Sequence, residues 1–321
     1  MKTYGPVPSW RLGNSLGVDL VEAPAGYDKI CSFDCVYCQL GHKAFRMSSP
    51  KSIEIKEEDF DQLRRKIEQT RPDYITFSGE GEPTLNLNLG YVANRIREMT
   101  DVPIAVLTNA SFVYLQRVRE GLNSCDLVLA KIDAPSQDLF ESINRPYKGA
   151  SLSSIVRNLK KIDAKLAIQT LLFSYDGLTN ADESSIEGLI GIYREINSTK
   201  PISVYLGTAY RPTSTLGLES ISERQLRVIA NQISSALGFE VVYYQEKEPK
   251  RIARKLTDEE LREEILALLK RRPCTLEDVF SRFSSSDAKG ALNSLTEKGV
   301  LGTSMQDGKK FYCLKKGKTN V

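Results

Sequence analysis

The chain carries three cysteines within the eight-residue stretch Cys31-Ser32-Phe33-Asp34-Cys35-Val36-Tyr37-Cys38. Gaps of three and then two residues allow the three thiols to converge when the chain curls into a loop. Thiolates are soft ligands, and they select zinc or iron–sulfur clusters over hard cations such as magnesium or calcium. This stretch therefore predicts a metal or cluster site.

The same stretch lacks a fourth ligand, and this absence separates two kinds of site. A structural zinc ion is closed by four Cys or His ligands, whereas a 4Fe–4S cluster held by three thiolates leaves one iron open to a small molecule. The single histidine, His42, follows Cys38 by four residues and could complete a zinc site, so zinc stays open as the alternative. Scattered spacing predicts that the remaining cysteines fill gaps in the core or surface: Cys125, Cys274 and Cys313.

Length and composition indicate an ordinary globular protein. The 321 residues, 41% hydrophobic and 26% charged, suit two domains or one large α/β domain with an appendix. No run approaches the eighteen apolar residues of a membrane span, and the N-terminus shows no signal-peptide pattern, which predicts a reducing, cytoplasmic location without disulfides. A net charge of +3 argues against strongly electrostatic nucleic-acid binding without excluding such binding.

The C-x3-C-x2-C pattern, with Tyr37 just before the last cysteine, resembles the signature of the radical S-adenosylmethionine (radical SAM) superfamily. The resemblance implies that Cys31, Cys35 and Cys38 ligate a 4Fe–4S cluster whose open iron takes the amine and carboxylate of S-adenosylmethionine (SAM), and that Tyr37 packs near the adenine. It also implies an electron donor such as flavodoxin or ferredoxin. Cleavage of SAM in this family yields a deoxyadenosyl radical that abstracts hydrogen.

Four short elements resemble a subfamily of iron–sulfur oxidoreductases that contains relatives of the tRNA wyosine-synthesis enzymes: Gly5-Pro6-Val7-Pro8-Ser9, Arg11-Leu12-Gly13, Ser15-Leu16-Gly17 and Cys38-Gln39-Leu40-Gly41. That similarity implies a tRNA or other RNA base as substrate. Those enzymes carry additional cysteines for a second cluster, whereas no cysteine precedes Cys31 here. Radical modification or activation of a protein partner, and a non-catalytic metal-dependent DNA-binding regulator, therefore stay open as alternatives.

Short apolar runs alternate with amphipathic ones between about residues 54 and 237, which is the βαβ rhythm of a parallel sheet. Predicted strands cover residues 26–30, 74–77, 103–107, 127–132, 166–173, 203–208 and 239–245. Predicted helices cover residues 57–69, 89–99, 112–120, 152–161, 186–196 and 223–237. The radical SAM resemblance implies a partial (β/α)6, TIM-like barrel over residues 25–245, although a doubly wound sheet fits the periodicity equally. Prolines and glycines predict that residues 1–24 form an irregular N-terminal arm.

A different pattern follows the charged linker at residues 246–256. Three amphipathic helices and a hairpin turn at Asp307-Gly308 indicate that residues 257–321 resemble a winged helix-turn-helix domain. Its lysines could contact phosphate, and docking of a partner protein is the other interpretation: Lys309, Lys310, Lys315, Lys316 and Lys318. Every cofactor candidate precedes this module, which predicts that the module can be removed without loss of the cluster.

Candidate cofactor-binding residues follow the predicted strands, because parallel α/β folds place their chemistry at the carboxyl ends of strands. The run Ser78-Gly79-Glu80-Gly81-Glu82-Pro83 resembles the Gly-Gly-Glu element of the family, which implies that Gly81 and Glu82 bind the methionine amine. Thr108 and Asn109 follow the next strand and match a cofactor-binding element in which relatives often have glycine where this chain has Ala110.

Further candidates lie on later strands. Lys131 and Asp133 share one side of a strand, where they could meet the cofactor carboxylate and ribose hydroxyls or form an ordinary ion pair. Gln169 is an uncharged polar residue inside a strand, so it is expected to face the cofactor or substrate. Arg145 and Arg211 are also candidates for such contacts.

Overall fold

A computed structural model describes residues 1–147, 149–213, 215–245 and 256–315, which adopt a mixed α/β fold built on a mainly parallel sheet. The linker predicted at 246–256 and the lysines Lys316 and Lys318 lie largely or wholly outside these residues. Strands are numbered along the chain. In spatial order the main sheet consists of β1 (Lys2–Ser9), β2 (Gly13–Asp19), β5 (Tyr74–Phe77), β6 (Ile104–Thr108), β7 (Leu127–Lys131), β8 (Lys165–Tyr175), β10 (Ile202–Thr208) and β12 (Val242–Tyr243).

Only β1 runs antiparallel along this path. The short strands β9 (Leu178–Thr179) and β11 (Leu218–Ser220) pair with β8, and β3 (Lys29–Cys31) pairs with β4 (Ala44–Arg46) in a separate ribbon. Seven helices connect the strands: α1 (Glu57–Thr70), α2 (Leu89–Arg97), α3 (Gln116–Asn123), α4 (Gln137–Asn144), α5 (Leu152–Leu159), α6 (Glu183–Asn197) and α7 (Glu223–Leu237).

The two faces of the main sheet have different partners. Apolar residues from α1 to α7 pack together with one set of strand side chains in the largest core, and we call this side the outer face. The alternate strand residues lie on the inner face, where Ala105, Leu129 and Ala167 surround Leu12. Leu12 belongs to the turn between β1 and β2, so this N-terminal turn covers part of the inner face.

The prediction of an irregular N-terminal arm was wrong. Residues 2–19 form the strands β1 and β2. Strand β2 pairs in parallel with β5, and this is the place in the sheet where the predicted strand at residues 26–30 was expected. Proline lacks the N–H that an inner strand must donate, but it is tolerated on an edge strand. Pro6 and Pro8 lie in β1, which is the edge of the sheet beside β2.

The remaining predicted elements agree with the structure to different degrees. Strand β5 and helix α7 have the predicted bounds, and α7 is framed by Ser222 as N-cap and Gly238 in the left-handed region with φ 76°. Helix α3 begins at Gln116 rather than at residue 112, and α4 was not predicted. The predicted final strand shortens to β12.

The C-terminal module, residues 257–315 in the structure, contains α8 (Asp258–Arg271), α9 (Leu276–Phe280), α10 (Ser285–Glu297) and the hairpin of β13 (Leu301–Gln306) and β14 (Lys309–Leu314). The order of three helices and a hairpin is the predicted one. The module has its own apolar core, which Val7 of β1 joins. The guanidinium of Arg271 also forms an ion pair with Asp19 of β2, and both side chains are buried.

None of the helices in the described ranges is long and apolar enough to cross a membrane.

Candidate functional site

The cysteine loop, residues 31–38, is tied to the glycine loop, residues 79–83, which follows β5. The N–H of Ile30 donates to the carbonyl of Glu80 (3.0 Å), and the N–H of Glu82 donates to the carbonyl of Ile30 (3.0 Å). Gly81 lies between these two bonds, where a Cβ atom would overlap the Ile30 carbonyl oxygen. A side chain at position 81 would therefore push the two loops apart.

The thiols of Cys31, Cys35 and Cys38 are all partly buried. Burial raises the pKa of the Cys31 thiol far above its ordinary value, and the charges of Glu82 and Cys35 raise it further. Burial also raises the pKa of Cys35 to about 11, and the charge on Cys38 adds to this shift. The three groups thus lie close enough to repel one another when ionised, so holding them as thiolates requires positive charge at their centre.

Polar N–H groups point at two of the sulfur atoms. Cys31 Sγ accepts from the backbone N–H of Phe33 (3.4 Å) and from Asn109 Nδ2 (3.4 Å). Cys35 Sγ accepts from Asn144 Nδ2 (3.5 Å). Such donors stabilise negative charge on sulfur.

Glu82 is a buried carboxylate, 3% exposed, at the start of a short 3₁₀ turn over Pro83–Leu85. Its Oε1 accepts from the Thr84 N–H (3.1 Å) and hydroxyl (2.6 Å) and from the Thr108 hydroxyl (2.6 Å), while Oε2 accepts from the Asn109 N–H (2.7 Å). Burial raises the pKa of Glu82, and these hydrogen bonds oppose the shift. Glu82 therefore joins the ends of β5 and β6, and Oε2 keeps capacity for one more donor.

Asn109 connects the two halves of the site. Its side-chain amide donates to Cys31 Sγ and to Ser32 Oγ (3.1 Å), while its backbone N–H donates to Glu82. The next residue, Ala110, has a φ of 61°. This left-handed conformation favours glycine, and it strains an alanine by about 1 kcal/mol.

A second network lies at the ends of β7 and β8. Asp133, which is 1% exposed, accepts a short hydrogen bond from the Tyr37 hydroxyl and further bonds from Asn144 Nδ2 (3.2 Å) and the Leu171 N–H (2.8 Å). Lys131 Nζ lies 2.8 Å from Asp133 Oδ1 and 4.9 Å from the centre of the Tyr37 ring. Lys131 and Asp133 therefore form the ion pair that was one of the two expectations, and they orient Tyr37 within the cysteine loop.

Sequence reasoning missed a buried cation beside the cysteine loop. Lys29 is only 1% exposed, and its ammonium lies 2.7 Å from Asp34 Oδ1. Negative charge on Cys38 and Cys35 raises the pKa of Lys29 against the opposing effect of burial. The available signal was a lysine inside the short strand that enters the cysteine loop. If that strand is buried the lysine must have a partner, because lysine is almost never fully buried unless it is paired.

The other predicted residues lie outside these networks. Gln169 accepts a short hydrogen bond from Arg11, and Arg145 contributes its carbonyl to the Asp34 N–H (3.2 Å). Arg211 pairs with Asp278 of the C-terminal module, Nη1 to Oδ2 2.6 Å. His42 bonds Thr215 through Nε2 (2.9 Å).

A family model described as the radical SAM superfamily matches residues 29–189, half of the chain. The chain belongs to the radical SAM superfamily. As a radical SAM protein it is an enzyme, and its cofactors are a 4Fe–4S cluster and SAM. The matched range includes the cysteine loop, the glycine loop and both networks around Glu82 and Asp133.

The chain is also similar to other known proteins in sequence and in fold. A protein named GTPase Obg from Brachyspira hyodysenteriae is 29% identical over 317 residues, which cover 98% of this chain and 45% of that protein, so the chain spans less than half of that relative. A UPF0026 protein of Synechocystis sp. is 33% identical over 260 residues, covering 74% of this chain and 94% of that protein. The structure of TYW1 with a lysine–pyruvate adduct bound shares the fold at 15% identity, with a TM-score of 0.53 over 70% of this chain and 75% of that one.

The residues present fit the radical SAM cluster. Three partly buried thiols lie in one short loop, two of them receive N–H donors, and a buried lysine ammonium lies beside them. In the described part of the chain no three Cys, His, Asp or Glu side chains form a group that could hold a metal ion. Thiolates on a 4Fe–4S cluster each bind a different iron, so they need not converge on one point.

Proposed function

We propose that this enzyme cleaves SAM reductively and uses the radical to remove hydrogen from an RNA base. When the cofactors are bound, one electron added to the sulfonium breaks a carbon–sulfur bond, leaving methionine and a deoxyadenosyl radical that becomes deoxyadenosine on taking a hydrogen atom. The observation that carries the proposal is the position of Asn109, which bonds both Cys31 Sγ and Glu82 Oε2. One residue thereby links the proposed cluster ligands to the proposed amine-binding carboxylate.

Each side chain then has a defined task. Cys31, Cys35 and Cys38 ligate iron. Gly81 allows the glycine loop to approach, and Glu82 accepts the ammonium of SAM on Oε2, while Thr108 and Asn109 keep its carboxylate in place.

The network at β7 and β8 orients the nucleoside part of the cofactor. Asp133 fixes Tyr37 for packing near the adenine, and Lys131 offers a cation to a carboxylate or ribose oxygen. Gln169 faces the same side of β8 as Leu171, two residues further along. The positions of these side chains around the cysteine loop support the proposed roles.

We further propose that the main sheet forms a partial (β/α)6 barrel and that the C-terminal module is a winged helix that holds the RNA. Helices on a single face of a parallel sheet support the first assignment. The hairpin with Lys309 and Lys310 supports the second. The electron donor is proposed to be a flavodoxin or ferredoxin, because both deliver single electrons.

The decisive experiment is anaerobic reconstitution with iron and sulfide, followed by reduction in the presence of SAM and assay for deoxyadenosine. We expect deoxyadenosine, and expect deuterium to enter it when deuterated cellular RNA is supplied. The variant Cys35→Ala should give none, whereas the matched variant Cys125→Ser should behave as the parent. Absence of deoxyadenosine would contradict the proposed reaction, and deuterium arriving only from labelled protein would replace RNA by a protein substrate.

A further inference from the structure

Four partly exposed aromatic rings meet on the inner face, and we call them the aromatic wall: Trp10, Tyr205, Tyr210 and Tyr244. Trp10, in the turn between β1 and β2, meets Tyr205 and Tyr244 edge-on, each at 5.9 Å between ring centres. Tyr210 stacks on Tyr244 at 4.2 Å with 10° between the planes. Gly207 lies beneath the indole, at a distance where a Cβ would make ordinary van der Waals contact with Trp10 (3.7 Å).

Two arginines beside this wall have unused hydrogen-bond donors. Arg11 reaches Gln169 through Nη1 and lies over Trp10 at 5.5 Å, but its buried Nε has no acceptor among the described residues. Nε and Nη2 of Arg272, at the end of α8, likewise have none in that part of the chain. Arg11 belongs to the turn between β1 and β2, and Arg272 belongs to the C-terminal module. The module therefore contributes one of the two cations.

Neither guanidinium has a carboxylate of its own. The nearest acidic group to Arg272 is Asp278 at 4.0 Å, and Arg211 already binds both oxygens of Asp278, at 2.6 and 3.0 Å. Burial lowers the pKa of Arg11 to about 10, Tyr210 and Tyr205 oppose this shift, and the charge on Arg272 adds to it. Two partly buried cations that repel each other and keep unpaired N–H donors are costly, unless an anion binds between them.

The position of this group suits a substrate rather than the cofactor. Arg11 bonds Gln169, which precedes Leu171 by two residues on β8, and the Leu171 N–H donates to Asp133. Two residues of strand span about 7 Å. The arginines and the aromatic wall therefore lie next to the Asp133 network that orients Tyr37, about two residues nearer the start of β8.

We propose that Arg11, Arg272 and the aromatic wall bind a nucleotide, with its phosphate between the two guanidinium groups and its base stacked on the tyrosine rings. Guanidinium groups match phosphate oxygens in pairs, and aromatic rings stack on any base. The binding of a nucleotide at this site does not depend on the proposed function. Only the role of that nucleotide as the substrate rests on the proposed function. The same chemistry is offered by a free nucleotide and by a nucleotide within RNA.

The sole tryptophan of the chain is Trp10, so its fluorescence reports on this site alone. The reconstituted protein, unreduced and saturated with S-adenosylhomocysteine to fill the cofactor site, is titrated with AMP, UMP, the matching nucleosides and a short oligoribonucleotide. We expect nucleotides to quench the fluorescence and to bind at least about tenfold more tightly than nucleosides, because a nucleoside lacks the charged acceptor. Equal binding of AMP and the oligonucleotide indicates a free nucleotide, and preference for the oligonucleotide indicates RNA.

Matched variants separate the two parts of the site. Arg272→Gln should weaken AMP binding by about tenfold or more without changing nucleoside binding, whereas Arg224→Gln, at an exposed position on α7, should change neither. Tyr244→Leu should weaken AMP and nucleoside alike by about fivefold or more, and Tyr114→Leu, at an exposed tyrosine, should not. Circular dichroism of each variant checks the fold.

Two outcomes would overturn the inference. One is the absence of fluorescence change or binding with every nucleotide and with RNA. The other is binding that Arg272→Gln and Tyr244→Leu leave untouched. Because no reduction or turnover is required, a failure of SAM cleavage in the deoxyadenosine assay is read separately from these titrations.

Discussion

Lys270 and Glu80 meet where α8 of the C-terminal module reaches the glycine loop, with Lys270 Nζ 2.7 Å from Glu80 Oε1. Glu80 is 2% exposed, and neither of its oxygens has a hydrogen bond within the described ranges, so this lysine and Arg271 at 3.6 Å are its charged partners. The C-terminal module therefore touches the loop that carries Glu82. The expectation that the module can be removed without loss of the cluster conflicts with this contact.

We predict that a protein ending at residue 255 is much less stable than the full chain. Removal of the module takes away the ion-pair partners of three buried side chains, Asp19, Glu80 and Arg211. Breaking one buried pair typically costs about 3–5 kcal/mol. Denaturant unfolding of the two proteins measures the difference, and a truncated protein that unfolds at the same denaturant concentration and assembles its cluster would contradict the prediction.

Arg271→Gln should destabilise the protein in a pH-dependent manner. Burial raises the pKa of Asp19 to about 6, although Arg271 opposes this shift. A carboxyl group with a folded-state pKa above its unfolded value stabilises the fold at low pH and loses that contribution as the pH rises from about 4 to 6.

Without Arg271 the pKa of Asp19 rises further, so the free energy of unfolding should continue to fall with rising pH above pH 6. The difference in unfolding free energy between parent and variant should therefore grow from pH 5 to pH 8. The double variant Asp19→Asn, Arg271→Gln lacks the titrating carboxyl group, so the difference between its unfolding free energy and that of the single variant Asp19→Asn should not change with pH. A single variant with a pH-independent loss would show that the pair is not electrostatically coupled.

One 4Fe–4S cluster per chain is expected, held by the first three cysteines. Replacement of Cys31, Cys35 or Cys38 by alanine should abolish stable iron binding, because two protein thiolates do not retain the cluster. Serine at Cys125 or Cys274, which are buried in apolar cores, should leave the iron content unchanged. Iron and sulfide analysis with Mössbauer spectroscopy tests this, and two clusters per chain would be incompatible with it.

Glu82→Gln should weaken SAM binding by about tenfold or more, since a charge-assisted hydrogen bond contributes about 1.5–3 kcal/mol. Some stability should be lost too, because the carboxylate accepts from Thr84, Thr108 and Asn109. Thr84→Val is the matched control, since it removes one of these donors and keeps the charge. Equal SAM affinity in Glu82→Gln and Thr84→Val, measured by equilibrium dialysis, would reduce Glu82 to a structural role.

Ala110→Gly should change the free energy of unfolding by less than about 1 kcal/mol, because relief of the left-handed strain offsets the loss of a buried methyl group. Ala130→Gly, at an equally buried position in β7, has no such relief and should cost more than about 1 kcal/mol. Chemical denaturation compares the two, and equal losses would argue against strain at position 110.

Sequence patterns selected candidate residues wherever local spacing was enough. The cysteine loop, Glu82 after β5 and the Thr108-Asn109 pair after β6 became candidates because short motifs follow buried strands, and the structure brings these residues together. The first two strands could not, since Pro6 and Pro8 argue against strand unless the edge position is known.

Pairings over long separations also escaped prediction. Arg211 was a candidate for contact with the cofactor or the substrate, yet it binds Asp278, and such a contact depends on how the C-terminal module lies against the sheet. Lys29 and Asn144 likewise act through neighbours that only the folded chain supplies.

The ion pair between Asp19 and Arg271 joins residues 252 positions apart in the chain. Strand β1, the sheet edge to which Val7 belongs, is covered by the core of the C-terminal module. During synthesis on the ribosome this edge emerges long before its cover, and an uncovered edge strand can pair with other chains. We therefore expect the protein to depend on chaperones and to give a low yield at high expression temperature, since covering this edge must wait until the last helices are translated.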